Sequence, residues 1–290
     1  MRRGRCAEKP VRASTKVGFR CRAALLALGF APFLLQSQPS IAVDLLPCEA
    51  PGALVSFESP LRALGRVVER GGAIRVVALG SSSTEGTGAS SKQATYPARF
   101  DQEMDRRFPG KDFQVVNLGK GGELARDMLK RLVRDVIPTR PALVLWQTGV
   151  NDAITGVDVA EFRRILVSGI AALKAAGIEV VLVDPQFYPR AANVPSYADY
   201  VTITRSVARE QGVPVFRRYA IMQHLIASGQ HSVDALLWKD KFHMNDTSYA
   251  CLAELMAKAV EGEIRRPAAP VISAGVPPMP LSGWSSTTAY

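Results

Sequence analysis

Short apolar runs alternate with helix-period segments from Ile74 to Val260. The run "IRVVALG" (Ile74–Gly80) is apolar, rich in β-branched residues and bounded by glycines. Such a run reads as a strand buried on both faces, because a strand with one wet face would alternate apolar and polar positions. "YPARFDQEMDRRF" (96–108) follows with a helical period and carries Pro97 in its first turn, where a missing N–H breaks no bond. "FQVVNLG" (113–119) is the second strand, and Leu124–Ile137 keeps a helical period up to Pro138. "PALVLWQTG" (141–149) and "IEVVLVDP" (178–185) read as the third and fourth strands, separated by a helix at Val159–Ala176 that stops before Gly177. A helix at Tyr197–Glu210, a short fifth strand "VPVF" (213–216) and helices at Arg218–Ala227 and Thr247–Glu261 complete the pattern. Strand–helix alternation with short connections requires crossovers, so the fold class expected is α/β: three layers, α/β/α, around a central parallel sheet.

The pattern changes character at both ends. Residues 1–42 hold eight Lys or Arg against the single acid Glu8, then an apolar stretch at Ala23–Leu35 and the small residues Ser40–Ala42. A basic start, a short apolar segment and small residues form an export signal, cut after about Ala42. The apolar stretch is short for a bilayer span and is interrupted by Pro32, although an uncleaved anchor is the alternative. Residues 43–73 then form an N-terminal extension, 74–265 the catalytic-type domain, and 266–290, rich in Pro, Ser and Gly, a disordered tail. The protein is thus expected to be exported, periplasmic or secreted, with no stable membrane span once mature.

The formal charge of +10 looks like a nucleic-acid signal until it is located. Outside the first 42 residues, 28 basic residues face 25 acidic ones, and no RNA- or DNA-binding motif accompanies them. Nucleic acid is therefore excluded as a partner. Cys6 and Cys21 fall in the leader, which leaves Cys48 and Cys251 for the mature chain. In an oxidising compartment these two are a candidate disulfide from the extension to the last helix; a free Cys251 packed beside Leu252, Leu255 and Met256 is the other reading.

Candidate chemistry collects at the carboxyl ends of the predicted strands, where open α/β sheets place their sites. The first strand runs into Gly80-Ser81-Ser82-Ser83-Thr84-Glu85-Gly86, the second into Asn117 with Gly119 and Gly122, and the third into Gly149 with Asn151 and Asp152. Of the three histidines, only His243 has a carboxylate three residues earlier, Asp240, in a polar loop before a helix. A serine hydroxyl becomes a useful nucleophile when a base takes its proton, and a carboxylate on the far side of that base fixes its tautomer. His224, within a helical pattern, and His231 read as structural or surface residues. No His/Cys/Asp set has metal-ligand spacing, and "GKGG" lacks the ending of a phosphate-binding loop, so neither metal nor cofactor is expected.

Taken together and in this order, these segments resemble the SGNH hydrolase superfamily of GDSL-type esterases and lipases. The resemblance spans about Ile74 to Val260 and departs at Ser81, where the family pattern carries Asp. It implies a flavodoxin-like SGNH fold with Ser82 as nucleophile, His243 as base and Asp240 as its orienting partner. It also implies an oxyanion hole made by the N–H groups of Ser82 and Gly122 and the side-chain amide of Asn151. Ser81 and Ser83 are the alternative nucleophiles. Asp184 and Gln186, leaving the fourth strand at the same edge, are candidates together with Ser81 to line the substrate. The expected activity is hydrolysis of carboxylic esters through an acyl-enzyme, on a small-molecule or glycan ester. An O-acyltransferase on the same site and a non-catalytic glycan-binding relative are the alternatives.

Overall fold

A computed structural model describes residues 48–266. The signal expected over 1–42 lies outside that span, as does the tail expected over 266–290 apart from its first residue. The five apolar runs form β1 (Ala73–Gly80), β2 (Asp112–Gly119), β3 (Leu143–Gln147), β4 (Glu179–Val183) and β5 (Val215–Phe216). All pair in parallel, in the order β2-β1-β3-β4-β5. Every residue of the central β3 is buried, as a strand covered on both faces must be.

The helices, in chain order, are α1 (Gly52–Val55), α2 (Arg62–Arg70), α3 (Ser82–Glu85), α4 (Tyr96–Arg107), α5 (Ala125–Arg131), α6 (Val150–Thr155), α7 (Val159–Ala175), α8 (Tyr197–Glu210), α9 (Arg218–Ala227), α10 (Val233–Leu236) and α11 (Asp246–Ile264). One layer is built on α11, which packs on α4, α1 and α2; the other is built on α7, which packs on α5 and α8. Together with the sheet they make the three-layer α/β/α arrangement expected.

Two stretches differ from the sequence reading. Residues 52–70, read as an extension, form α1 and α2 and contribute Val55, Leu61, Leu64 and Val68 to the buried core. The N–H groups of Ala63 and Leu64, which have no acceptor inside α2, donate to the two carboxylate oxygens of Glu179 at 2.8 Å each. The helix expected through Ile137 is α-helical only to Arg131, then widens to a π-turn at Leu132–Val136 and tightens at Ile137–Thr139. Pro138 has no N–H to return to the preceding turn, so the ladder cannot continue. A disulfide joins Cys48, ahead of α1, to Cys251 in α11 across a sequence separation of 203.

The strand order reverses direction between β1 and β3, so the loops leaving their carboxyl ends diverge to opposite faces and open a crevice. Ser82 follows β1 and Asn151 follows β3. The topology thus brings these two motifs, 69 positions apart in the chain, to the same crevice. Among the described residues, no helix is long and apolar enough to cross a membrane.

Candidate active site

Ser82 is the first residue of α3, so its backbone N–H has no acceptor within the helix. The turn that presents it is tight: the Ser81 carbonyl accepts from the N–H groups of Thr84 and Glu85 at 3.0 and 2.9 Å. Gly86 closes α3 at φ +111°. From below, the buried side chain of Gln147, at the end of β3, holds this turn in place. Its Oε1 accepts from Ser81 N at 3.0 Å, Ser81 Oγ at 3.2 Å and Thr84 Oγ1 at 3.1 Å. Ser81 itself is buried and faces this support, not the crevice.

The Ser82 hydroxyl meets His243 Nε2 at 2.9 Å, and His243 Nδ1 meets Asp240 Oδ2 at 2.6 Å. The other carboxylate oxygen of Asp240 accepts from the N–H groups of Phe242 and His243 at 2.9 Å each. Burial opposes ionisation of Asp240, but these hydrogen bonds and the His243 charge outweigh it and hold the carboxyl below its usual value. With Asp240 ionised, His243 carries its proton on Nδ1 and leaves Nε2 free to accept from Ser82.

The end of β2 and the loop after it are fitted against α3 by several specific contacts. Asn117 Nδ2 donates to the Thr84 carbonyl at 2.7 Å, tying β2 to the end of α3. Gly119 lets α3 lie directly on the strand, since a Cβ there would fall 1.9 Å from Glu85 N. Glu85, which is exposed, accepts from Gly121 N at 3.0 Å. Gly122 has φ +74°, a backbone that disfavours any side chain, while the space around its Cβ position is open. The glycine is thus required by its backbone conformation.

Asn151 and Asp152, both in α6, clamp the same loop. Asn151 Nδ2 donates to the Glu123 carbonyl at 2.9 Å, which orients the amide and leaves its second N–H to point elsewhere. The buried Asp152 carboxylate accepts from Ala125 N at 3.0 and 3.2 Å. Burial raises the Asp152 pKa, opposed by these backbone N–H groups.

Asp184 and Gln186 do not line the crevice: both are fully buried. A carboxylate at the end of β4 with no access to water needs partners in the fold. Asp184 accepts from Arg205 Nε and Tyr219 N at 2.9 Å each, so it caps the start of α9. Burial pushes its pKa up, and Arg205 pulls it down. Gln186 is a cross-link. It accepts from Ser83 Oγ at 2.6 Å and donates to the Phe242 carbonyl at 2.6 Å, so it joins the helix of Ser82 to the loop of His243. Replacing it by Leu removes the partner of the buried Ser83 hydroxyl and of the half-buried Phe242 carbonyl. Gln186→Leu is expected to lower stability by about 1–3 kcal/mol, read from urea denaturation midpoints.

Ser82, His243 and Asp240 are thus joined in one hydrogen-bonded series, Asn151 is tied to the loop that carries Gly122, and Ser81, Asp184 and Gln186 are buried. Sequence reasoning missed Gln147 and Gln186 as connectors, since a lone Gln in an apolar run carries no spacing signal. It also missed that Cys48, Cys251 and His231 gather with their ligand atoms within 4.8 Å of one another. The two sulfurs are bonded to each other there, so no thiolate is offered to a metal.

A model of the Non-GDSL lipase-like family matches residues 47–266. Esterase TesA of Pseudomonas aeruginosa is 32% identical over 80 residues, a stretch covering 28% of this chain and only 40% of that protein. A two-domain esterase (CEX) active on acetylated mannans superposes with a TM-score of 0.62 at 21% identity, over 73% of this chain and 56% of its own. The acetyl xylan esterase AlAXEase superposes with a TM-score of 0.56 at 20% identity, over 64% of this chain and all of its own, 100%. At such identities the two structures establish a shared fold.

Proposed function

The chain belongs to the Non-GDSL lipase-like family, within the SGNH hydrolase superfamily, and from that premise we propose that it is an exported serine esterase acting on short acyl groups carried by carbohydrate. The observation that carries the reading is the hydrogen-bonded series Ser82–His243–Asp240 at the switch point of the sheet.

In this mechanism His243 Nε2 takes the Ser82 proton as Oγ attacks the ester carbonyl carbon, and Asp240 stabilises the imidazolium that forms. The carbonyl π electrons move to oxygen, and that oxyanion is met by the Ser82 and Gly122 N–H groups and by the Asn151 amide. As the tetrahedral intermediate collapses, the C–O bond to the alcohol breaks and His243 returns its proton to the departing oxygen. Water then attacks the acyl-Ser82 ester as His243 takes its proton, and as the acyl C–Oγ bond breaks His243 returns that proton to Ser82 Oγ and the carboxylic acid leaves. Asn151 suits the third position because an amide donates without titrating or bringing charge.

The preference for carbohydrate esters is supported by the acetylated mannans and acetyl xylan named for two proteins of the same fold. Export is supported by the basic and apolar start of the chain and by the Cys48–Cys251 disulfide, which suits an oxidising compartment. Asn151→Ala is expected to lower kcat for p-nitrophenyl acetate about 10²–10³-fold with KM little changed, because the lost donor acts on charge that exists only in the transition state. An equal loss in ground-state binding would argue against the oxyanion role. A folded wild-type protein that transfers an acetyl group to an added alcohol faster than to water would replace the esterase by an acyltransferase.

A further inference from the structure

We propose that Gln186 is a positioning residue for the reaction: through its two side-chain hydrogen bonds it sets the approach of His243 Nε2 to the Ser82 hydroxyl. This rests on the esterase reading above and says which residue outside the series keeps the nucleophile and its base in register.

Ser82 and His243 stand 161 positions apart and are carried by separate elements, the start of α3 and the loop before α11. Asp240 orients the imidazole, but it belongs to the same loop as His243 and so cannot fix that loop against α3. Gln147 and Asn117 hold α3, but to β3 and β2. Gln186, three residues beyond β4, is fully buried and reaches both sides. Its Oε1 accepts from the hydroxyl of Ser83, next to the nucleophile, and its Nε2 donates to the carbonyl of Phe242, next to the base, at 2.6 Å each. A carbonyl can only accept, so the amide is held one way round. The peptide group between Phe242 and His243 is thereby gripped at both ends: its carbonyl by Gln186, its N–H by Asp240 Oδ1 at 2.9 Å.

The stretch that carries Gln186 is held in turn. Tyr197 Oη donates to the Gln186 carbonyl at 2.7 Å. Two residues on, the buried Tyr188 ring meets the Phe242 ring edge to face, with centroids 4.8 Å apart, and Phe242 meets the imidazole in the same way at 4.6 Å. Proton transfer from Ser82 to His243 depends on the distance and alignment of Oγ and Nε2, and a misplacement of about 1 Å can cost about 10²-fold in rate. A bridge anchored one residue from each partner controls that distance without touching substrate.

The test is a double-mutant cycle in the full chain, read as kcat for p-nitrophenyl acetate per folded protein. Gln186→Met keeps the length and removes both bonds, and kcat is expected to fall about tenfold with KM within about twofold of wild type. Ser83→Ala, which cuts one arm, is expected to cost about threefold, and the double variant about as much as Gln186→Met alone. A loss of about thirtyfold in the double variant would show two independent effects and overturn the bridge. An unchanged kcat in Gln186→Met would overturn it too. Leu64→Ala controls for stability, because it deletes core packing in α2, whose first N–H groups bond to Glu179 at the opposite end of β4 from Gln186. Its kcat is expected to stay within about twofold of wild type, and an equal loss there would show that rate follows stability and not position. If Gln186→Met does not fold, Ser83→Ala decides: a fall in kcat at constant KM supports the bridge, and no fall overturns it. Labelling of Ser82 by a fluorophosphonate separates the two readings, since Oγ attacks phosphorus, fluoride leaves and His243 takes the proton with no ester involved. If wild type hydrolyses esters and Gln186→Met hydrolyses and labels at the same rates, the positioning role fails and the esterase stands. If wild type hydrolyses no ester but labels about tenfold faster than Gln186→Met, the esterase fails and the positioning role stands. No labelling of folded wild type overturns both.

Discussion

Ser82→Ala is expected to remove about 10⁴–10⁶-fold of kcat toward p-nitrophenyl acetate and butyrate while leaving the fold intact. The hydroxyl is the atom to which His243 Nε2 is hydrogen-bonded, at 2.9 Å, and its removal leaves the base with nothing to activate except water. The two neighbouring serines serve as internal controls because each has a different partner. Ser81 Oγ gives one bond to Gln147, whose hold on the turn also includes Ser81 N and Thr84 Oγ1, so Ser81→Ala is expected to stay within about tenfold of wild type. Ser83 Oγ bonds to Gln186, and Ser83→Ala is expected to act through stability first. Loss of turnover in Ser81→Ala or Ser83→Ala with Ser82→Ala active would reassign the nucleophile. Asp240→Asn is expected to fall by roughly 10⁴-fold, since the amide favours the wrong imidazole tautomer. The hydrogen bonds that lower the Asp240 pKa keep it ionised below the usual carboxylate range, so its hold on the imidazole is expected to be lost only as pH falls through that lowered value. Protonation of Asp240 at the usual carboxylate pH, followed by NMR of its carboxyl carbon, would overturn this.

Reduction of the Cys48–Cys251 bond, or Cys251→Ser, is expected to lower unfolding free energy by about 2–5 kcal/mol. The bond closes a loop over a sequence separation of 203, so in the unfolded chain it removes the freedom of nearly the whole domain. It also anchors the segment ahead of α1 to α11, the helix against which α1, α2 and α4 pack. The check is urea denaturation with and without dithiothreitol, in wild type and in Cys251→Ser. An unchanged midpoint on reduction would show that α1 and α2 are held by core contacts alone. Turnover of the remaining folded protein is expected to be unaffected.

Much of the fold was legible because its signals are local. The five strands were readable as apolar runs since a strand covered on both faces cannot alternate, and the long helices because their apolar positions recur with a 3.6-residue period. The short α3 and α6 carry too few residues for a period to show. The α2 helix was passed over because its apolar stripe is narrow and its first N–H groups are satisfied not by a cap residue beside it but by Glu179, at the start of β4. The glycines and asparagines of the motifs were visible as letters, and their work was not. Gly119 admits α3, and Asn117 ties β2 to it.

The sequence by itself determined the layered α/β class, the chain order of the motifs and the pairing of Asp240 with His243, because residues three apart in a loop need no distant partner to meet. Only the tertiary structure decided which serine faces the base and which residues are withdrawn from the crevice. Those outcomes turn on contacts across more than sixty positions in the chain, such as Ser81 to Gln147 and Ser83 to Gln186. Burial of a polar side chain depends on what packs over it, which no local pattern encodes. For Asp184 it was Arg205 and the start of α9 that made the interior the better place for a carboxylate.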